Sequence, residues 1–442
     1  MVFEQETVFS IAKLLNLKPA SLWTQLSAWR HALQDRKKQR KATDYANASA
    51  RIVKEGTGAL FTTQYYSDDV LSSAGLMRYT VRVGPHTITT SLATRPNWMS
   101  LRIPLGAGDE NCVVVDATRE VATCDPSTIA AMLADIEARG VRVWDAPIFR
   151  VLSVDIYESR LAARFCVDRY FRYRFTNGAL HDELAGALLD SDFQIDRLLS
   201  GADTLLPMRS LFLPANSDLG DLSSRMCASG VNVLTAFARG APDSDFALIV
   251  HRRSSAVGTR QGALSVLPAA HHQPTRDLAR EEESRFSRTI IRELYEELFS
   301  GVEVTSGHSQ PVPIDWYERA SPMMTRLCAG PSACEVVMTG AGISLLTGSF
   351  NVTAVVLIKD ESVWSEVRDV LRPNWEGPDD HAFVYTKGPA VERLLRSPEW
   401  MDYSYEALVE GLLFLRDVAP DRVRLPSLMV ESPGGQQRQT LT

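Results

Sequence analysis

Apolar residues first recur at helical spacing near the amino end. Val8, Ile11, Ala12 and Leu15 share one face, and Leu22, Leu26, Trp29 and Leu33 share another after Lys18-Pro19-Ala20-Ser21. Residues 5–34 therefore predict two helices, with Ser21 a candidate cap for the second. Beyond a basic connector over 35–54 the period changes to two. Tyr79–Val83 and Thr87–Thr90 alternate, are β-branched and flank the turn signal Gly84-Pro85. Val113–Val115, 148–157 and 161–167 predict further strands, 127–139 a helix starting near Asp125 or Ser127, and 181–200 a helical stretch. Strand is expected again over 206–214, at Val231–Ala238 and Phe246–His251, and over 262–268. A long helix follows over 281–299, then strands at 334–339 and 351–359 and helices near 361–371, 389–396 and 404–416.

This order predicts an α/β fold in several parts. A helical segment spans 1–55, a mixed α/β domain 56–205, a second α/β domain 206–430, and a Gly/Gln/Ser-rich tail 431–442 that is expected to be disordered. The chain has 442 residues, 45% hydrophobic and 23% charged, enough apolar material for large cores. Its net charge of -7 argues against a general nucleic-acid coat. Residues 1–55 differ: ten Lys/Arg against five acids leave a surplus of five there and -12 on the remainder. No run of about 20 apolar residues predicts a membrane span, and Glu4 and Glu6 break a signal-peptide layout. Six scattered cysteines without a Cys-x-x-Cys pair suggest neither zinc nor a disulfide framework, and a reducing cytoplasm is expected.

The most informative hexapeptide is Arg292-Glu293-Leu294-Tyr295-Glu296-Glu297. Positions i, i+3 and i+4 share a helical face, so Glu293, Glu296 and Glu297 project together. Carboxylates so gathered repel, and a hard cation such as Mg²⁺ or Mn²⁺ would join them. Such an ion can neutralise a diphosphate and activate a bound water, with a spare carboxylate as base. Glu-rich helices are also common as plain solvated faces.

The strand over 262–268, the loop Leu267-Pro268-Ala269-Ala270 and the Arg-Glu-Leu-Tyr-Glu-Glu helix resemble the Nudix hydrolase family. The resemblance is sharp over 283–298, looser over 206–385, and does not reach the amino-terminal half. It implies an α/β/α sandwich around a mixed sheet and metal-dependent hydrolysis of a nucleoside diphosphate linked to another group. It gives Glu293, Glu296 and Glu297 metal-binding or base roles, and makes Arg292 the residue that orients them. The motif's glycine falls at Leu278 and its upstream glutamate at Ser284, with Glu283 one residue early as a candidate fourth ligand. The closing Gly-aliphatic reads Phe299-Ser300, with Gly301 adjacent. These departures leave open a site that binds a nucleotide without cleaving it. Nudix domains also often carry arginine where Arg252 and Arg253 end a strand, which makes both candidates for phosphate or ribose. Trp375 is a candidate to stack on a base and Glu376 a distant loop-borne base. His271 and His272 are expected as ordinary loop residues.

Residues 8–30 have the outline of a helix-turn-helix. Ala12 sits at the close contact, Leu17 and Leu22 take buried positions, and Asn16 lies in the turn. That outline would offer Ser21, Thr24, Gln25 and Arg30 to a DNA groove and Lys37, Lys38, Arg40 and Lys41 to phosphates. A helical hairpin serving a homodimer, with Trp23 and Trp29 in an interface, is the competing expectation.

Overall fold

The computed structural model describes residues 3–33, 48–52, 56–106, 108–116, 120–141, 143–157, 159–253, 262–275, 281–299, 315–369, 371 and 381–431. The Lys37–Lys41 cluster, Leu278, Ser300, Gly301, Trp375, Glu376 and the tail from 432 lie outside these residues.

Among the described residues, fourteen strands form two sheets. They are β1 (Met77–Val83), β2 (His86–Thr94), β3 (Ile103–Pro104), β4 (Glu110–Val114), β5 (Pro147–Tyr157), β6 (Arg160–Arg169), β7 (Ser229–Ala238), β8 (Phe246–Arg252), β9 (Leu264–Val266), β10 (Ala269–His271), β11 (Cys334–Ser344), β12 (Phe350–Ile358), β13 (His381–Tyr385) and β14 (Leu428–Val430). The large sheet runs β13-β8-β7-β12-β11-β2-β1-β14, with β9 on β8, β10 on β7 and β3 on β11. It is mixed, since β7 and β12 are parallel and its other pairs antiparallel. The small sheet is β4-β6-β5. β7 and β8 pair only at Ala236–Ala238, and β9 and β10 occupy the gap where they diverge.

The helices that position the sites are α1 (Gln5–Leu14), α2 (Pro19–Leu33), α3 (Pro126–Arg139), α4 (Leu180–Asp190), α5 (Pro207–Phe212), α6 (Phe286–Leu298), α7 (Glu361–Val367), α8 (Ala390–Arg396) and α9 (Asp402–Val418). Alternation along the strands splits the core into two layers. Val231, Val233, Phe237 and Ile249 face α6, whose Phe286, Ile290, Leu294 and Leu298 form a stripe at i, i+4. Leu234, Ala236, Leu248 and Val250 face α9 on the opposite side. The expected α/β architecture is thus observed as helix, mixed sheet and helix, with the small sheet and α1–α3 sharing the α6-side core.

Several expectations change. β1 and β2 join the large sheet through Ile343–Ala93 and Ser344–Leu92, so the sheet crosses the boundary drawn at residue 205. Residues 207–212 are helical, not a strand. Pro207 stands in the first turn and Glu183 accepts from the Met208 and Arg209 main-chain N–H groups at 2.6 and 2.9 Å, which starts α5. The long helix begins at Phe286, because Glu281–Ser284 is a separate 3-10 turn and Arg285 is extended. α2 begins at Pro19 rather than after Ser21, since proline's fixed φ suits a first helical position. All six cysteines are free thiols, and among the described residues no helix is long and apolar enough to cross a membrane.

Candidate functional site

α6 carries an apolar stripe and a carboxylate face on one short helix. Burying Phe286, Ile290, Leu294 and Leu298 contributes about 1.5–3 kcal/mol each. Two like charges 4 Å apart cost about 1 kcal/mol in water and about 4 kcal/mol near a protein surface. The stripe can therefore hold the helix down against its own repulsion, provided some of the charge is balanced.

Arg292 supplies the balance. It is 3% exposed. Its Nη2 donates to Glu293 Oε1 at 2.6 Å, its Nη1 donates to the Gln273 carbonyl at 2.9 Å, and its Nε lies 3.8 Å from Glu296 Oε1. Burial alone would weaken the guanidinium's hold on its proton, but Glu293 and Glu296 outweigh it and raise the pKa above the usual arginine value. Glu297 Oε1 accepts from the Ala269 N–H at 3.1 Å, which ties the helix to the start of β10. Glu283 accepts from the Thr275 N–H at 3.0 Å and from the Thr275 hydroxyl. Glu283, Glu293, Glu296 and Glu297 are all buried. The structure thus places Arg292 and the four glutamates together around the segment that joins β10 to α6.

His272 is a structural pin in that segment. Its Nδ1 lies 2.7 Å from Thr289 Oγ1 and its Nε2 lies 2.9 Å from the Ser284 carbonyl. The ring stacks on Phe286 at 4.4 Å between centroids and packs against Phe149 and Phe165 of the small sheet. Burial pushes its pKa down to about 3, with Arg292 adding to the effect, so the imidazole is neutral. His271 is half-buried and sits edge-on to Tyr170 and Tyr173. Burial and then Arg253 lower its pKa to about 4. Neither histidine is the ordinary loop residue the sequence suggested.

Arg252 and Arg253 do not act together. Residues 248 and 250 face α9, and residues 247 and 249 face α6. Arg252 follows the first set and donates to Glu399 Oε2 at 2.7 Å and to the Gly262 carbonyl at 2.6 Å, on the far face from the α6 glutamates. Arg253 lies close enough to His271 to affect its charge. Trp375 and Glu376 lie outside the described residues.

Sequence reasoning missed Glu110. From β4 its Oε1 accepts from the Ser287 N–H at 3.1 Å and its Oε2 accepts from the Gly106 N–H at 3.0 Å. It caps α6, whose own residue Arg285 offers no side-chain cap. Burial raises its pKa against these hydrogen bonds. A partner 177 positions away leaves no local signal.

The four glutamates suit a hard divalent cation in chemistry. In placement one oxygen each of Glu293, Glu297 and Glu283 is engaged by Arg292, Ala269 and Thr275. Among the described residues no three His, Cys, Asp or Glu side chains stand close enough to share one ion. Glu293 Oε1 would have to release Arg292 Nη2 to become a ligand.

At the amino end, Asn16 takes the left-handed turn at φ 56° between α1 and α2, as its place in the turn requires. α2 then packs on α3. Arg30 donates to Glu137 Oε2 at 3.0 Å and to the Phe3 carbonyl, and lies 5.2 Å from the Trp23 ring centre. Arg30 is therefore held against α3 rather than presented to a groove. Thr24 and Gln25 bond within the helix to Ala20 and Ser21. Trp29 is 39% exposed. No protein-family model matches the chain, and no curated protein matches it either.

Proposed function

We propose that the carboxyl-terminal half is a Nudix-type domain that hydrolyses a nucleoside diphosphate linked to another group, with Mg²⁺ or Mn²⁺ as cofactor. One observation supports this most: a buried arginine-ordered row of glutamates on a helix tied at Ala269 to a strand end and at Gln273 to the loop that follows it. Glu293, Glu296 and Glu297 would hold the ion. When bound, it would neutralise diphosphate charge and lower the pKa of a water. Arg292 restrains Glu293 and Glu296, Glu297 anchors the helix, and Glu110 and His272 fix its start.

The test is turnover of dinucleotide and nucleotide-sugar diphosphates with each metal. Turnover lost in Glu296→Gln and Glu297→Gln supports the reading, and none in the wild-type protein removes it.

The engaged carboxylates favour a second reading, in which the same domain binds such a nucleotide without cleaving it. Saturable binding by wild type with no product formed would select this reading. The helix pair at 8–30 leaves a DNA-binding regulator as a weaker variant, since Arg30 is already paired. Salt-sensitive duplex binding that disappears when residues 1–50 are deleted would be needed to sustain it.

A further inference from the structure

A second polar cluster lies under α9, on the other face of the large sheet, and shares no residue with the α6 site. It starts from irregularities in two strands. The β11 register against β12 slips between Met338 and Gly340, which makes Thr339 an extra residue. The β1 register against β2 slips between Arg78 and Thr80, where β2 carries the extra residues opposite Tyr79. Bulges re-aim side chains, and Tyr79, opposite the irregularity in β2, reaches a glutamate on α9. Tyr79 Oη donates to Glu410 Oε1 at 3.2 Å, and the Ser100 N–H donates to Glu410 Oε2 at 3.0 Å. Ser100 does so at φ 51°, a strained left-handed conformation for a residue with a side chain.

One turn earlier, Glu406 is fully buried and neither of its carboxylate oxygens has a hydrogen-bond partner among the described residues. The same holds for the hydroxyls of Thr339 and Thr353. Glu406 and Thr353 converge on Gly340. A Cβ at Gly340 would stand 2.8 Å from Thr353 Oγ1, 2.9 Å from Glu406 Oε1 and 3.4 Å from the Trp98 carbonyl oxygen. Any larger residue would fill the space. The described charge that acts on Glu406 is Glu410, and it repels.

Unpaired buried polar atoms cost about 1–3 kcal/mol each and are rare in folded proteins. Three of them on two side chains that meet at a required glycine, with a strained serine one helical turn away, indicate a built site. All its inward groups are oxygens: carboxylate, hydroxyl and carbonyl. That set suits hard cations and not soft metals.

We propose that the space beside Gly340 binds one hard cation through Glu406, Thr353 and the Trp98 carbonyl. Glu410, held by Tyr79 and Ser100, supplies the second negative charge one helical turn away. The site stabilises the α9–sheet contact and is independent of hydrolysis.

The experiment is thermal unfolding of the full chain, freed of metals and held in tetramethylammonium buffer. Sodium, potassium, magnesium and calcium chlorides are added separately at matched ionic strength. At least one should raise the wild-type midpoint saturably by several degrees over the tetramethylammonium control. Glu406→Gln should abolish that increment, and the Glu296→Gln/Glu297→Gln double variant should keep it. The proposal is overturned by no cation-specific rise, by a rise that Glu406→Gln retains, or by one lost in the double variant. If Glu406→Gln does not fold, equilibrium dialysis decides. One equivalent bound by the Glu296→Gln/Glu297→Gln double variant, and bound at least about tenfold more weakly when Thr353→Val is added to it, supports the site. Equal binding by the two, or none, overturns it.

Discussion

Helices α6 and α9 lie on opposite faces of one sheet, and each turns carboxylates one turn apart into the interior. α6 meets them with a guanidinium: Arg292 donates to Glu293, approaches Glu296 and donates to the Gln273 carbonyl. α9 holds Glu410 with the neutral donors Tyr79 and Ser100, and gives Glu406 no hydrogen-bond partner among the described residues. The difference teaches that buried carboxylates in this fold are balanced locally on one face and left open on the other. An arginine makes the α6 cluster self-sufficient, so a ligand there must compete with an existing ion pair. The α9 cluster has no such competitor.

Removing the guanidinium is the sharpest way to break that contrast. Arg292→Met should lose about 3–5 kcal/mol of unfolding free energy in urea, because it strands two buried carboxylates. A loss below about 1 kcal/mol would mean that Arg292 is not what balances α6.

His272→Ala should cost about 3 kcal/mol, since it empties a site between Phe149, Phe165 and Phe286 and cuts two hydrogen bonds. The pH dependence sharpens this further. His272 titrates near the ordinary histidine value of 6.5 when unfolded and is pushed down to about 3 by burial when folded. Its stabilising contribution is complete above the unfolded value. It falls as pH drops from there towards 3, because the unfolded chain takes up a proton the folded chain refuses. His272→Gln should flatten the slope of stability against pH in that window, and an unchanged slope would contradict the burial argument.

On the α9 face the sign reverses. Burial, followed by repulsion from Glu410, holds the Glu406 pKa well above the usual carboxylate value. Stability from this group is present below the unfolded pKa and declines as pH rises. In cation-free buffer Glu406→Gln should therefore gain about 1–3 kcal/mol at neutral pH, with the gain shrinking towards pH 4. A pH-independent loss would show that the two helices do not differ in the way described. The smallest effect belongs to Glu110→Gln, which weakens the cap on α6 by about 1 kcal/mol in the same urea assay. No change would mean that the small sheet does not secure that helix.

Much of the secondary structure was legible because its causes are local. Asp125 and Pro126 start α3, and alternation at Tyr79–Val83 and Val231–Ala238 marks strands. The grouping of Glu293, Glu296 and Glu297 was legible for the same reason. The pairing of residues 77–94 with a strand 250 positions later was not, because β1 and β2 look like any hairpin. The divergence of Arg252 and Arg253 could have been read from the two-residue period of a strand. Glu406 and Glu410 were hidden for a different reason. Acids at i, i+4 suggest a solvated face, whereas α9 is buried almost all round, with Tyr403, Leu408 and Leu412 beside them. α5 was misread because its start depends on Glu183, outside its own segment.

The entry of β1 and β2 into the large sheet also governs how the chain can be made and divided. β11 has β12 on one side, and its other edge is shared by β2 at Ile343–Ser344 and β3 at Val337–Met338. A ribosome that has released β1 and β2 must wait for more than 240 further residues, about the length of a second domain, before their partner strand emerges. A fragment beginning at residue 206 would expose a bare strand edge at β11 and invite association with its neighbours. The natural unit for expression, proteolysis or transplantation therefore includes β1 through β14 together with α1 and α2, which share its core.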